Sequence, residues 1–153
     1  MKNRILSEWL IEIISALFIL LFLYTALSKI YEHKSFQIIL SKSPLIGNFS
    51  KVISYILPIA EIIVSLCLLM PMTRSKGLWG SLFLMCVFTI YIAYMIIYSP
   101  KLPCSCGGVL KKLNWTQHLL FNIFFTLLNI FALWLLRKNK IVIAINRNSR
   151  TPV

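Results

Sequence analysis

The apolar residues of the chain fall into long runs separated by short polar breaks. Four of these runs predict helices over residues 9–31, 52–72, 78–98 and 115–136. A bilayer core about 30 Å thick requires roughly 20 apolar residues in a helix, and each run meets that length. Because the runs occupy most of the chain, the sequence predicts an all-α protein. The expected architecture is one membrane domain that consists of a bundle of four transmembrane helices. A basic tail over residues 137–153 follows, and no soluble domain is expected.

Composition and charge agree with a membrane protein. Hydrophobic residues make up 59% of the chain, and the mean hydropathy is +0.83. The net charge of +12 arises from 16 Lys and Arg against 4 acidic residues. The charges lie in the loops and the tail, where they suit lipid headgroups, and they are not gathered on a foldable soluble face. We therefore expect the lipid bilayer as a partner and do not expect nucleic acid.

The first apolar run could be a signal peptide, because Lys2 and Arg4 precede it and residues 26–28 weakly resemble a cleavage site. Glu8 and Glu12 interrupt the basic region, however, and the run is long for such a peptide. A retained helix is the favoured interpretation. Its last residues include Lys29, which is expected to extend outwards to the headgroups.

The second predicted helix contains Pro58 and Glu61. A carboxyl group inside a membrane span is costly, so Glu61 is expected to face the bundle interior and to have a partner or a proton. Two hypotheses remain open for it: a hydrogen-bonded group that fixes packing, or a group in proton or quinone chemistry. Pro58 should kink the helix near Glu61, because a proline frees a backbone carbonyl one turn earlier.

The fourth predicted helix carries His118, Asn122 and Asn129 at steps of four and seven residues. This spacing places all three on one stripe of a helix. A polar stripe on an apolar span must face protein or water, so these side chains are expected in the bundle interior.

The distribution of basic residues slightly favours one orientation of the chain in the membrane. Four spans put both termini on one side, which would carry nine of the Lys and Arg residues against seven on the other. The positive-inside rule then predicts cytoplasmic termini. The loop between the last two spans would face the periplasm or the outside, where exposed cysteines exchange disulfides.

That loop carries Cys104 and Cys106, followed by a glycine pair at residues 107–108. A disulfide between cysteines two residues apart is strained, and strained exposed disulfides are the labile kind. Nearby lysines and the start of the last helix favour the thiolate, and His118 could carry the proton. Three hypotheses stay open: a redox-active pair, a structural disulfide, or a soft-metal loop. The ligand set is thin for a metal, so no metal site is predicted. Cys67 and Cys86 lie within spans and are interpreted as small hydrophobic residues.

Several motifs along the chain resemble one known family. They are Tyr24-Thr25-Ala26-Leu27-Ser28-Lys29 followed by Phe36, then Leu57-Pro58-Ile59-Ala60-Glu61, then Phe88, then Pro103-Cys104-Ser105-Cys106-Gly107-Gly108. In this order and spacing they resemble the MauE/DoxX-type family of small redox-associated membrane proteins. The stretch from Trp115 to His118, with Asn122, looks most like versions from Bacteroidota-type bacteria.

The resemblance implies a four-helix bundle in the bacterial inner membrane. It also implies thiol–disulfide chemistry with a periplasmic thioredoxin-like protein or a disulfide-containing client. Methylamine-utilisation members are associated with maturation of a disulfide-rich dehydrogenase subunit, and DoxX members with quinone-coupled oxidation.

On this basis Cys104, Cys106 and His118 are the predicted catalytic residues. Glu61 and Asn122 are the predicted polar groups of a quinone or proton site, and a quinone is the candidate cofactor. Quinone-linked disulfide generators use two exposed cysteine pairs, whereas this chain has one. The alternative is therefore a non-catalytic membrane subunit or anchor with a structural loop disulfide.

Overall fold

A computed structural model describes residues 2–43, 46–98 and 115–148. These ranges contain five α-helices, a single 3-10 turn and no strand. The elements are α1 (Lys2–Tyr31), α2 (His33–Ser41), the 3-10 turn (Gly47–Phe49), α3 (Ser50–Leu69), α4 (Arg74–Tyr98) and α5 (Trp115–Asn148).

Four of the helices are long and apolar enough to cross a membrane. The candidate spans are Ile5–Tyr31, Gly47–Leu69, Arg74–Tyr98 and Thr116–Asn139. The predicted all-α bundle with four transmembrane helices is therefore confirmed. The chain is a multi-pass membrane protein.

The helices begin and end at different residues from those that the apolar runs predict. α5 continues beyond residue 136 to Asn148, because the basic tail contains neither glycine nor proline before Pro152. α3 ends earlier than predicted, at Leu69, just before Pro71. There the Thr73 hydroxyl donates a hydrogen bond to the Cys67 carbonyl oxygen at 2.9 Å, which caps the end of α3.

The four long helices form a ring in which each packs against two neighbours, in the order α1, α3, α4, α5. Phe18 and Phe22 of α1 are almost completely buried at its centre. The edge of the Phe125 ring from α5 meets Phe18, with the ring centroids 5.6 Å apart. The core is completed by aliphatic side chains from the other helices, among them Leu68, Leu78, Met85 and Ala132.

Glycines let α4 approach α3 closely. A Cβ atom on Gly77 would lie 2.8 Å from the backbone nitrogen of Leu68, a separation that no real side chain tolerates. A Cβ atom on Gly80 would lie 3.1 Å from a methyl group of Val64. Small residues at such a crossing bring two membrane helices into backbone contact.

The first and last long helices meet at the end of the bundle that carries the chain termini. The Ser7 hydroxyl donates a hydrogen bond to the Asn139 side-chain oxygen at 2.9 Å. Arg74, at the start of α4, lies 3.6 Å from Glu12 at the same end. The start of α1 and the end of α5 therefore lie together, as an even number of spans requires.

The short helix α2 covers the opposite end of the bundle. Its Phe36 and Leu40 side chains are buried, and the helix packs mainly against α3. The His33 side chain is half-buried, and its ring centroid lies 4.4 Å from that of Tyr55. The first loop is therefore a folded cap and not a free connection.

Candidate functional site

Lys29 and Glu61 form a buried ion pair between α1 and α3. Lys29 Nζ lies 2.7 Å from Glu61 Oε1, and the side chains are 4% and 0% exposed. The prediction that Lys29 extends outwards to the headgroups is wrong. A lysine near a helix end reaches outwards when only water or headgroups can satisfy it, whereas here a carboxylate lies within reach inside the bundle.

Two aromatic rings flank the lysine ammonium. Lys29 Nζ lies 5.9 Å from the ring centroid of Phe36 in α2 and 5.6 Å from that of Phe88 in α4. An ammonium within about 6 Å of a ring centroid is attracted by the negative face of the ring. Groups from α2, α3 and α4 thus together stabilise the desolvated ammonium of Lys29.

The Glu61 carboxylate uses one of its oxygens for Lys29. Thr25 lies beside this carboxylate, but its hydroxyl donates to the Phe22 carbonyl oxygen at 3.2 Å. Among the described residues, Glu61 Oε2 has no hydrogen-bond partner. Glu61 therefore has a partner in the interior, as predicted, and retains an oxygen that can accept a further hydrogen bond.

The ion pair lies in the wall of a cavity of about 350 Å³. All five helices contribute to the lining, which is almost entirely apolar. Typical lining side chains are Leu21, Leu40, Leu57, Val87 and Phe121. An apolar cavity of this size with a few convergent polar groups has the general properties of a small-molecule site.

His118 and Asn122 reach the same cavity from α5. Each side chain is 4% exposed, and Asn122 Nδ2 donates a hydrogen bond to the His118 carbonyl oxygen at 3.0 Å. The predicted inward orientation of the polar stripe is correct. The structure therefore brings together Glu61, His118 and Asn122, three of the five residues that the sequence predicts for the site.

Asn129, the third member of the stripe, lies apart from the cavity. Its side chain is fully buried and meets the Ser81 hydroxyl of α4 at 2.6 Å. When the amide is oriented to satisfy both of its ends, its nitrogen donates to the Leu78 carbonyl oxygen and its oxygen accepts from Ser81. Asn129 therefore joins two helices and is not part of the site.

The predicted cysteine pair, Cys104 and Cys106, lies outside the described residues. In the sequence it falls between the end of α4 at Tyr98 and the start of α5 at Trp115. His118 is in the first turn of α5, so the cavity lies at the end of the bundle from which this connection starts.

The other two cysteines, Cys67 and Cys86, are free and partly buried, and neither lines the cavity. The described part of the chain has no group of three or more metal-ligating side chains. Their partly buried positions within two candidate spans fit the interpretation of these cysteines as small hydrophobic residues.

Lys29, Phe36 and Phe88 belong to the site but are not among the residues that the sequence predicts for it. A lone acidic residue in one span is a signal for a basic residue in another, and Lys29 is a basic residue at the end of the first span. The position of each aromatic ring depends on helix packing, which spacing along the chain does not reveal. All three nevertheless occur in the motifs by which the sequence resembles a known family.

The fold and the site define a class: a four-helix membrane protein with a charged pair in an apolar cavity. The family model described as methylamine utilisation protein MauE matches residues 7–135. The chain therefore belongs to the MauE family. The matched range includes every residue of the cavity and the cysteine pair. No curated protein and no solved structure matches the chain.

Proposed function

We propose that this protein performs thiol–disulfide exchange at the membrane surface through Cys104 and Cys106. The observation that carries the proposal is the position of His118 and the cavity. Both lie at the end of the bundle to which the cysteine-bearing connection is joined. Membership of the MauE family supports a four-helix membrane protein as the setting.

The exchange needs no reagent other than a partner dithiol. A partner thiolate attacks one sulfur of the Cys104–Cys106 disulfide, and the S–S bond breaks as a mixed disulfide forms. The second partner thiolate then attacks the mixed disulfide. The partner leaves oxidised and the loop keeps two thiols, and the same steps run in reverse with an oxidised partner.

The residues around the pair favour this chemistry. Lys101, Lys111 and Lys112 are close to the pair in the sequence and the N-terminus of α5 follows it, and positive charge of both kinds favours a thiolate. A disulfide closed over one intervening residue is strained and therefore easily reduced. His118 is the group proposed to accept or donate the proton of the exchanging thiol.

The location and the partner follow from this chemistry. An exchanging pair works in an oxidising compartment, so the loop is proposed to face the periplasm from the bacterial inner membrane, with both termini cytoplasmic. The proposed partner is a periplasmic thioredoxin-like protein or a disulfide-containing client. The positive-inside margin of nine against seven basic residues supports this orientation.

A second candidate is a non-catalytic membrane subunit of a redox or maturation complex. It is favoured by the state of Cys67 and Cys86, which are free and outside the cavity, so neither lies at the site to relay electrons from the loop. On this hypothesis the loop disulfide only holds the connection in shape.

The test is exchange with a defined dithiol protein. The oxidised membrane protein, purified in detergent, is mixed with a reduced thioredoxin-fold domain, and the redox state of both is followed by alkylation with a mass-tagged reagent. The expected result is two-electron transfer in the wild type and none in Cys104→Ser. Cys67→Ser is the matched control, which should exchange as the wild type does. An intact loop disulfide after prolonged mixing would favour the subunit hypothesis.

A further inference from the structure

Two exposed cations, Arg137 and Lys138, lie near the end of the last candidate span, away from the cavity and the cysteine loop. Each is held against a tryptophan ring. Arg137 Cζ lies 5.4 Å from the ring centroid of Trp79 in α4, and Lys138 Nζ lies 5.3 Å from that of Trp134. Within the described part of the chain, neither cation has a carboxylate or a hydrogen-bond partner for its side chain. Their N–H donors are therefore available to an anion.

An apolar groove of about 210 Å³ lies between α4 and α5 on the outer surface of the bundle. Its lining consists of Cys86, Thr89 and Ile90 from α4 and Ile123, Thr126 and Leu127 from α5. Ile90 is 70% exposed and Leu127 61% exposed, so the groove opens towards the lipid. The hydroxyls of Thr89 and Thr126 donate to carbonyl oxygens of their own helices at 2.6 and 2.7 Å, which leaves their methyl groups to face the groove.

The groove and the two cations lie on one face of the helix pair. Trp79 and Ile90 are eleven residues apart in α4, and so are Leu127 and Lys138 in α5. Eleven residues make three helical turns, so each pair shares a helix face, with about 16 Å along the axis between its members. Half of a bilayer core is about 15 Å thick. The cations therefore lie at headgroup depth when the groove lies near the bilayer centre.

We propose that this face of α4 and α5 binds one anionic phospholipid, with its phosphate at Arg137 and Lys138 and an acyl chain in the groove. Basic sites between membrane helices on the cytoplasmic side bind anionic headgroups, and the proposed orientation places these cations on that side. The inference does not depend on the thiol chemistry, because every residue of the site lies outside the cysteine loop.

The two cations suit a phosphate that carries a net negative charge. The guanidinium of Arg137 presents N–H donors in a plane that matches phosphate oxygens, and Lys138 adds a second charge on the next residue. The contacts with Trp79 and Trp134 hold both cations near the level where tryptophan side chains prefer to lie, at the boundary between lipid and water. A zwitterionic headgroup brings its own cation and would compensate these charges less well.

The binding test is native mass spectrometry of the full chain in detergent micelles. The protein is titrated with phosphatidylglycerol and, separately, with phosphatidylcholine that has the same acyl chains. The wild type should retain one phosphatidylglycerol molecule about tenfold more tightly than phosphatidylcholine, because only the former has a net charge. The Cys104→Ser/Cys106→Ser variant should retain the same lipid. A loss of thiol exchange with unchanged lipid binding would thus concern the proposed function alone.

Variants at both parts of the site identify its position. Arg137→Gln/Lys138→Gln should weaken phosphatidylglycerol binding about tenfold or more and remove the preference over phosphatidylcholine. Cys86→Trp keeps the cations and fills the groove, and it should weaken the binding of both lipids. The matched control is Lys34→Gln/Lys51→Gln, which removes the same charge from exposed positions at the opposite end and should bind as the wild type does. Thermal unfolding establishes that each variant is folded.

Three outcomes would overturn the inference. One is equal retention of the two lipids by the wild type, or a preference that survives in Arg137→Gln/Lys138→Gln. Another is an equal loss of affinity in Lys34→Gln/Lys51→Gln, which would trace the binding to net charge and not to this face. The third is a dimer that forms without lipid and that Cys86→Trp disrupts, because a second copy of the chain would then occupy the groove.

Discussion

At the scale of single residues, Lys29 and Glu61 depend on each other. Either charge alone in the bundle interior would lack both water and a counter-ion. Measurements on other buried pairs show that removing one partner costs about 3–5 kcal/mol, because the other charge is left uncompensated. Replacing both by apolar residues is often close to neutral.

The first prediction follows from this dependence. Lys29→Met alone should lower the free energy of unfolding by about 3–5 kcal/mol, whereas Lys29→Met/Glu61→Met should recover most of the loss. The measurement is reversible unfolding in mixed detergent micelles. Equal destabilisation by the single and double variants would contradict a direct ion pair.

A control for this prediction is the ion pair of Glu12 and Arg74. It is longer, at 3.6 Å, and Glu12 is 57% exposed. Exposed pairs contribute about 0–1 kcal/mol. Glu12→Gln should therefore change stability much less than Lys29→Met does under the same conditions.

The second prediction concerns Asn129 and Ser81. Their buried hydrogen bond joins α5 to α4 and lies away from the cavity. Interhelical hydrogen bonds in membranes average about 0.6 kcal/mol and reach about 1.7 kcal/mol. A double-mutant cycle with Asn129→Ala and Ser81→Ala should give a coupling in that range, with thiol exchange unchanged. A coupling of zero would mean that the two side chains do not interact.

The sequence reveals part of the site at this scale and conceals the rest. The inward orientation of Glu61, His118 and Asn122 follows from the cost of polar groups in lipid, and the structure agrees. The partner of Glu61 does not follow from the sequence, because a lysine near the end of a span can either reach outwards to the headgroups or pair with an acidic residue inside the bundle. Helix α2 and the ring of Phe88 decide between them by closing the bundle around the ammonium.

At the scale of helices, the close contact between α3 and α4 limits which substitutions the two helices tolerate. The Gly77 position faces the backbone of Leu68, which cannot move without α3, whereas Gly80 faces only the Val64 side chain. Overpacking in a close contact typically costs about 1–3 kcal/mol.

The third prediction compares these two glycines. Gly77→Ala should destabilise the bundle by about 1–3 kcal/mol, because a backbone must shift. Gly80→Ala should be close to neutral, because the Val64 side chain can yield and alanine favours the helix by up to about 1 kcal/mol over glycine. Unfolding of both variants in mixed micelles is the measurement. The reverse order would show that the helices are not packed in this register.

The sequence predicts the helices themselves better than their ends. Long apolar runs mark where membrane helices must lie, because a chain in lipid has to satisfy its own backbone. They do not mark the ends, because a helix can continue beyond the apolar span, as α5 does through Asn148. The cap formed by α2 was also not predicted as a full helix. Its stability comes from burying Phe36 and Leu40 against the bundle, and packing of that kind cannot be deduced from a short mixed segment.

At the scale of the whole molecule, the protein has two distinct ends, which should face opposite sides of the membrane. The beginning of α1 and the end of α5 meet at one end of the bundle, and the cavity lies towards the other. The cysteine loop and the tail should therefore be accessible from opposite sides of the membrane.

The fourth prediction tests this sidedness. In spheroplasts treated with a reductant, a membrane-impermeant maleimide should label Cys104 and Cys106, and it should not label a cysteine introduced by Asn148→Cys. Cys67 and Cys86 are internal controls, since both lie within candidate spans. Labelling of the tail cysteine in intact spheroplasts would reverse the orientation.

Whether Cys104 and Cys106 form a working redox pair is decided by a redox titration of the loop. The purified protein is equilibrated in glutathione buffers of stepped potential, and Cys104 and Cys106 are then alkylated with a mass-tagged reagent. A working pair should show a reversible two-electron transition well above about −300 mV, the range of labile and catalytic disulfides. A bond that stays closed far below that potential would contradict it and identify a structural disulfide, and two thiols that never pair would contradict it as well.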